Sequence, residues 1–198
     1  MLEIIRELNS LWEPVFPHLA NFVEAIFRRK TGIVAEAGPF CGVIYELSRR
    51  GMGDEFYILS FPSGLEELYE REIKERGLKK IRVIPTDDSF QNVEKHFDLI
   101  FLRGAFFFPS IFKLDLLSIY RLLKEGGVAI LGGGFGRDTP SQLIDSLRKR
   151  SKILNERLGK IEISEKEIDS LLENLGLKGD STIVLEGGIW VLLTKRSP

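Results

Sequence analysis

The sequence predicts an α/β fold, a mostly parallel seven-stranded sheet with an antiparallel C-terminal hairpin and helices on both faces. Three observations carry this expectation. From residue 32 onward, short apolar runs of strand length alternate with longer stretches of helical periodicity. The alternation is sustained through five strand–helix steps, with no fixed-period repeat and no low-complexity linker. The last two apolar runs are separated only by Glu186-Gly187-Gly188, a hairpin spacing. At 198 residues and 43% hydrophobic, the chain can build one domain with a sizeable core, and two full domains would be cramped.

Residues 2 to 9 and 17 to 30 read as helical, separated by Pro14 and Pro17, which break the pattern around Trp12 and Phe16. The first strand is Gly32 to Ala37, followed by a Gly and Pro turn and a helix through Val43, Leu47 and Arg50. Strand two is Glu55 to Ser60. Helix 65 to 76 puts Leu65, Leu68, Tyr69 and Ile73 on one face and i,i+4 charge pairs on the other, and Gly77 stops it. Strands three and four are Ile81 to Ile84 and Asp98 to Leu102, with Glu94-Lys95-His96 read as a solvated helix end between them. A helix from about Ser110 to Lys124 leads into strand five, Val128 to Leu131. The Gly132 to Gly136 loop offers backbone amides and mobility there. A helix from about Pro140 to Leu158 follows, and Ser164 with Glu167 forms a capping-box pattern that opens one ending at Gly176. Thr182 to Leu185 and Ile189 to Thr194 make the closing hairpin.

Composition removes several function classes. Lys and Arg total 28 against 29 Asp and Glu, so there is no global positive field to collect a phosphate backbone, and nucleic acid is not expected as a partner. A single Cys excludes a disulfide framework and multi-thiolate metal sites, and the two histidines lie far apart without ligand spacing, so no metal is expected. The N-terminus carries acids where a signal peptide has its basic region, and the longest apolar run, Leu99 to Phe108, is interrupted by Arg103. The expectation is a cytoplasmic protein with no membrane partner.

In an open α/β sheet the ligand crevice lies beyond the carboxyl ends of the strands, so the turns after the strands carry the functional reading. The first is Glu36-Ala37-Gly38-Pro39-Phe40-Cys41-Gly42. Its glycine spacing is not G-x-G-x-x-G, and no G-x-x-x-x-G-K-[ST] occurs, which weighs against nicotinamide dinucleotides and nucleoside triphosphates. The turn resembles motif I of the class I S-adenosylmethionine-dependent methyltransferases, an acid followed by glycines two, four and six residues on. Phe40 stands where the middle glycine belongs. Ile84 to Asp88, Phe97 to Ile100, Leu122 to Ile130 and Gly188 to Lys195 are similar to the family's later motifs, in its order. The resemblance covers most of residues 32 to 195. Arg103 to Phe108 and Gly132 to Gly136 further resemble an uncharacterised bacterial and archaeal branch.

The resemblance implies a Rossmann-like methyltransferase fold, with a helical cap over 1–30 and an S-adenosylmethionine-binding domain over 31–198. It also implies methyl transfer to a small-molecule acceptor. Glu36 would then complement the cationic sulfonium and amino group, and Gly38 and Gly42 would let the chain pass close to the ligand. Asp87 or Asp88 would accept from the adenine amino group. Strand two ends in Ser60 where the family has an acid, leaving Ser60 or Ser63 to bond one ribose hydroxyl. Arg103 falls where cofactor and acceptor meet, suited to a carboxylate, a phosphate or a core acid. Trp12, Phe16, His18, Phe106 and Phe107 would form the acceptor site; no catalytic base is assigned.

Plainer readings stand beside these. Glu36 could face solvent, although an acid in an apolar run needs a partner if buried. The glycines fit any tight turn, Asp87-Asp88 an Asx turn or the N-cap of a following helix, His18 a packing role, and Cys41 a small buried residue. The rival function is a non-catalytic ligand-binding or interaction protein on the same scaffold, and the aromatic preface could equally cover a partner subunit in a homodimer.

Overall fold

The computed structural model describes residues 1–196; positions 197 and 198, which end the 31–198 span, lie outside the described residues. Seven strands form one sheet in the order β3-β2-β1-β4-β5-β7-β6. The strands are β1 Ile33–Ala37, β2 Glu55–Ser60, β3 Ile81–Pro85, β4 Phe97–Arg103, β5 Leu123–Gly134, β6 Ser181–Val184 and β7 Gly188–Thr194. The first five pair in parallel, and β7 runs antiparallel to both β5 and β6. Among the described residues seven α-helices surround the sheet: α1 Leu2–Trp12, α2 Phe16–Phe27, α3 Val43–Arg49, α4 Glu66–Glu75, α5 Leu116–Leu122, α6 Ser141–Arg157 and α7 Glu165–Asn174. Strand order reverses direction between β1 and β4, which makes the carboxyl ends of those strands the topological switch point.

The preface shares the core of the sheet. α1 buries Ile5, Leu8, Asn9 and Trp12, an i, i+3, i+4, i+7 stripe, and lies against α6, while α2 lies against α3. Pro14 falls in a short 3-10 turn, Glu13–Val15, so the helices part there, and α2 ends at Arg28 in a left-handed conformation. The capping box at Ser164 and Glu167 is present and opens α7.

Three expectations fail for identifiable reasons. No helix joins β3 to β4. Residues 86–96 are irregular, and His96 is an exposed loop residue, because the segment's polar side chains bond locally: Asp87 accepts from the Ser89 amide and Asn92 donates to the Pro85 carbonyl. The helix expected from Ser110 begins only at Leu116, since Asp115 takes the N-cap position and accepts from the Ser118 amide at 3.0 Å. The Gly132–Gly136 segment is largely strand and not a mobile loop. Gly132, Gly133 and Gly134 continue β5 opposite Trp190, Ile189 and Gly188 of β7. A Cβ at Gly132 would stand 2.1 Å from the Ile189 carbonyl oxygen, so the glycines permit two backbones to close on each other.

Candidate functional site

Two cavities open at the carboxyl edge of the sheet. The turn after β1 lies at the switch point and is already engaged by protein. Glu36 is 1% exposed, and its carboxylate accepts from the amides of Gly42 at 2.9 Å and Ile44 at 2.8 Å, the open N–H groups at the start of α3. Burial pushes its pKa up to about 7, although those amides and the positive charge of Arg103 pull the other way. The acid in the apolar run is therefore buried and bonded, and its partners are the protein's own amides. Three side chains hold the turn's carbonyls: Asn9 and Tyr69 donate to Pro39 and Arg103 to Phe40, at 2.9, 2.8 and 3.1 Å.

The turn's glycines serve packing. A Cβ at Gly42 would stand 2.1 Å from the Phe16 ring, so residue 42 is where α2 rests on the turn. Gly38, at φ +95°, lies under Phe61, whose ring is 3.4 Å from where its Cβ would be. The Phe40 ring is buried, covers Gly104 and packs against Phe108 at 4.7 Å between centroids. Cys41 is buried beneath it and donates to the Gly38 carbonyl.

The smaller cavity, about 400 Å³, lies past β2 and β3 and is lined by Ser60, Ser63, Glu66, Thr86, Asp87 and Asn92 among others. Ser60 is 1% exposed, and its hydroxyl has no hydrogen-bond partner among the described residues. Asp87 is partly engaged: its carboxylate accepts from Ser89, which holds it below the usual carboxylate range. Asp88 accepts from the Lys113 amide at 2.6 Å and does not line this cavity. Phe61, Phe90 and Phe112 are buried, with Phe90 and Phe112 each 5.4 Å from Phe61 in edge-on contact. Phe90 adopts φ +54°, a conformation costing about 1–3 kcal/mol in a residue with a side chain, to place its ring there.

The larger cavity, about 530 Å³, lies past β4 and β5 under α1 and α6. Trp12 forms one wall, stacked on Phe135 at 4.5 Å and 8°, with its indole N–H donating to Ser151 at 3.0 Å. Phe40, Phe107, Phe108 and Arg103 line it as well. Arg103 is 5% exposed; desolvation pulls its pKa down to about 10, opposed mainly by Glu36.

Of the residues expected at the acceptor site, the fold brings Trp12 and Phe107 into this cavity and seats Phe16 behind Arg103. His18, half-buried on α2, and Phe106, buried in the turn after β4, line neither cavity. Sequence reasoning missed Asn9, Ser151 and Phe61. Asn9 had a signal: it is a polar residue on the apolar stripe of α1. Ser151, 139 residues from Trp12, had none. Among the described residues no cluster of three or more His, Cys, Asp or Glu could hold a metal, and no helix is long and apolar enough to cross a membrane.

No family model matches the chain, and no curated protein matches it in sequence. Solved structures do match. The crystal structure of a proposed S-adenosyl-L-methionine-dependent methyltransferase from Methanococcus maripaludis is 22% identical, over 98% of this chain and 93% of that one, with a TM-score of 0.76. A SAM-dependent methyltransferase from Aquifex aeolicus is 15% identical over 98% and 99%, with a TM-score of 0.62. An rRNA methylase from Streptococcus thermophilus is 13% identical over 91% and 95%, at 0.52. The chain has the Rossmann-like class I methyltransferase fold.

Proposed function

We propose that this chain is an S-adenosylmethionine-dependent methyltransferase acting on a small molecule. In this reading the Ser60 cavity takes the nucleoside end of the cofactor, the aromatic cavity takes the acceptor, and residues 1–30 form the cap over it. The observation that carries the reading is the Ser60 hydroxyl, buried at the carboxyl end of β2, without a partner among the described residues, on the wall of a cavity lined mainly by polar residues. An unpaired buried hydroxyl costs about 1–3 kcal/mol, and a ligand hydroxyl would remove that cost. Asp87, Thr86 and Asn92 add acceptors and donors suited to a purine amino group and ribose. The fit is to the nucleoside end. At the turn after β1, Glu36 is engaged by amides, so it positions Gly42 to Ile44 and does not meet the ligand directly.

When bound, the cofactor supplies a methyl group carried on a sulfonium sulfur, an activated carbon that needs alignment more than acid–base help. The chain's own contribution is a walled site. Trp12, Phe107 and Phe108 exclude water, and the buried Arg103 fixes orientation. Among the described lining residues there is no histidine, and the carboxylates, Glu156 and Glu162, belong to exposed residues. The acceptor is thus one whose nucleophile needs no buried base.

One observation favours the rival reading, a binding protein without catalysis: the Phe61 ring stands against Gly38 in the turn after β1 and the Phe40 ring against Gly104 in the turn after β4, between which a cofactor's amino-acid end would pass. Calorimetric titration with S-adenosylmethionine and S-adenosylhomocysteine separates the two. The expected result is saturable micromolar binding of both, weakened about tenfold in Ser60→Ala, about 1.4 kcal/mol. Silence with both ligands moves the assignment to the binding protein.

A further inference from the structure

Arg103 is the only buried cation among the described residues. Its Nε donates to the Phe40 carbonyl and its Nη2 to Asn9 Oδ1, both at 3.1 Å. Trp12, Phe16 and Phe40 surround the guanidinium carbon, with ring centroids at 4.7, 5.3 and 5.7 Å. Among the described residues, Nη1 makes no hydrogen bond and no carboxylate comes within 4.0 Å of the group. Glu36, the acid whose charge acts on it most, is held by three amides. A guanidinium clamped on one edge and unfilled on the other, in a wall of a 530 Å³ cavity, is an anion site in want of an oxyanion.

The rest of the cavity defines the ligand. Its inner walls carry five aromatic rings, and a Cβ at Gly133 would come within 2.8 Å of the Phe107 ring, so the glycine lets that ring lie flat against β5. The rim carries Arg148, Lys152 and Lys160 against Glu156 and Glu162. Arg148 pairs with Asp145 and Lys152 with Glu156, whereas Lys160 lies 5.2 Å over the Phe107 ring with no acid partner among the described residues.

We propose that this cavity binds a planar aromatic carboxylate, with the carboxylate on the unfilled edge of Arg103 and Lys160 adding attraction at the mouth. That the ligand is the methyl acceptor rests on the function proposed above; the anion site itself does not. The same oxyanion chemistry could come from the amino-acid end of the cofactor, so the test has to separate the two sources.

Benzoate and its neutral isostere benzamide are titrated into the intact protein by calorimetry, with quenching of tryptophan fluorescence as the second readout. The expected result is benzoate at least tenfold tighter than benzamide, a preference lost in Arg103→Met and reduced severalfold in Lys160→Glu, an exposed position whose change leaves the fold intact. Equal affinities, absence of saturable benzoate binding, or a preference untouched by Lys160→Glu in a folded protein overturns the proposal. S-adenosylhomocysteine is then added. Simultaneous binding of both ligands supports an acceptor site, and mutual displacement overturns it by assigning Arg103 to the cofactor's carboxylate. Benzoate binding that depends on Arg103, together with no binding of S-adenosylhomocysteine, leaves the anion site standing and removes the methyltransferase.

Discussion

The two cavities at the carboxyl edge of the sheet are built from different materials. The one past β2 and β3 is lined mainly by polar residues, from the ends of β2 and β3, the start of α4 and the turns that follow the two strands, and apart from Ser60 its lining residues are at most half-buried. The one past β4 and β5 has a charged, exposed rim but a wall made of core: Trp12 from α1, Arg103 from β4 and Ser151 from α6, joined by the Trp12–Ser151 hydrogen bond and the Arg103 guanidinium over the Trp12 ring. In the first, a side chain can change without disturbing the fold. In the second, the groups that would meet a ligand also hold α1 and α6 to the sheet, so binding and stability are coupled.

The largest effect should come at the turn after β1, whose Phe40 lines the larger cavity. Gly42→Ala would put a methyl group 2.1 Å from the Phe16 ring, next to the amides that hold Glu36, and we expect destabilisation of about 3 kcal/mol in urea unfolding. Phe16→Leu in the same chain should recover part of it, because the clash is with the ring. If Gly42→Ala unfolds like the parent, α2 does not rest on this turn, and the larger cavity is not tied to the core through it.

The pH dependence sharpens it with opposite signs. Glu36 has a folded pKa of about 7 against 4.5 for the free side chain, so the folded state binds its proton more tightly. Its contribution is fully present below pH 4.5 and is lost as pH rises through about 7, a decline of up to about 3 kcal/mol. Asp87 at the polar cavity is held low by Ser89, so its small contribution is present at neutral pH and lost on acidification. Denaturation midpoints measured from pH 4 to 8 should show the first slope in the parent and not in Glu36→Gln; a slope that survives the substitution assigns it elsewhere.

Much of the fold could be read in the sequence, because the residues that encode it act locally. The apolar runs of β1, β2 and β4, the Ser164–Glu167 box and the three-residue hairpin connection each carry their signal within a few positions. What could not be read depends on distant partners. The glycines at 132 and 134 look like a loop until Ile189 and Gly187 are placed beside them, and Asp88, read as an Asx turn, an N-cap or an adenine contact, instead accepts from the Lys113 amide 25 residues on. The site divides along the same line. That Glu36, among apolar neighbours, would need a partner if buried could be read; the partner expected was a ligand cation. That the partners would be the amides of α3 required the turn to be folded, and the clamp of Asn9 and three rings on Arg103 joins residues from three separate stretches of chain.

The smallest expected effect discriminates best between the cavities. Ser60→Ala deletes a hydroxyl that has little exposure and no partner among the described residues, so the folded state loses no hydrogen bond and gains relief from a desolvated polar group. Unfolding free energy should be unchanged or higher by less than about 1 kcal/mol, whereas nucleoside affinity falls. A clear destabilisation, measured by urea titration beside the parent, would mean that the hydroxyl is bonded within the protein in solution. Ser60 would then belong with Trp12 and Ser151, whose bond supports the core, and not with groups held ready for a ligand. The expected dissociation of binding from stability is what a cavity lined mainly by exposed polar side chains allows and one walled by core aromatics does not.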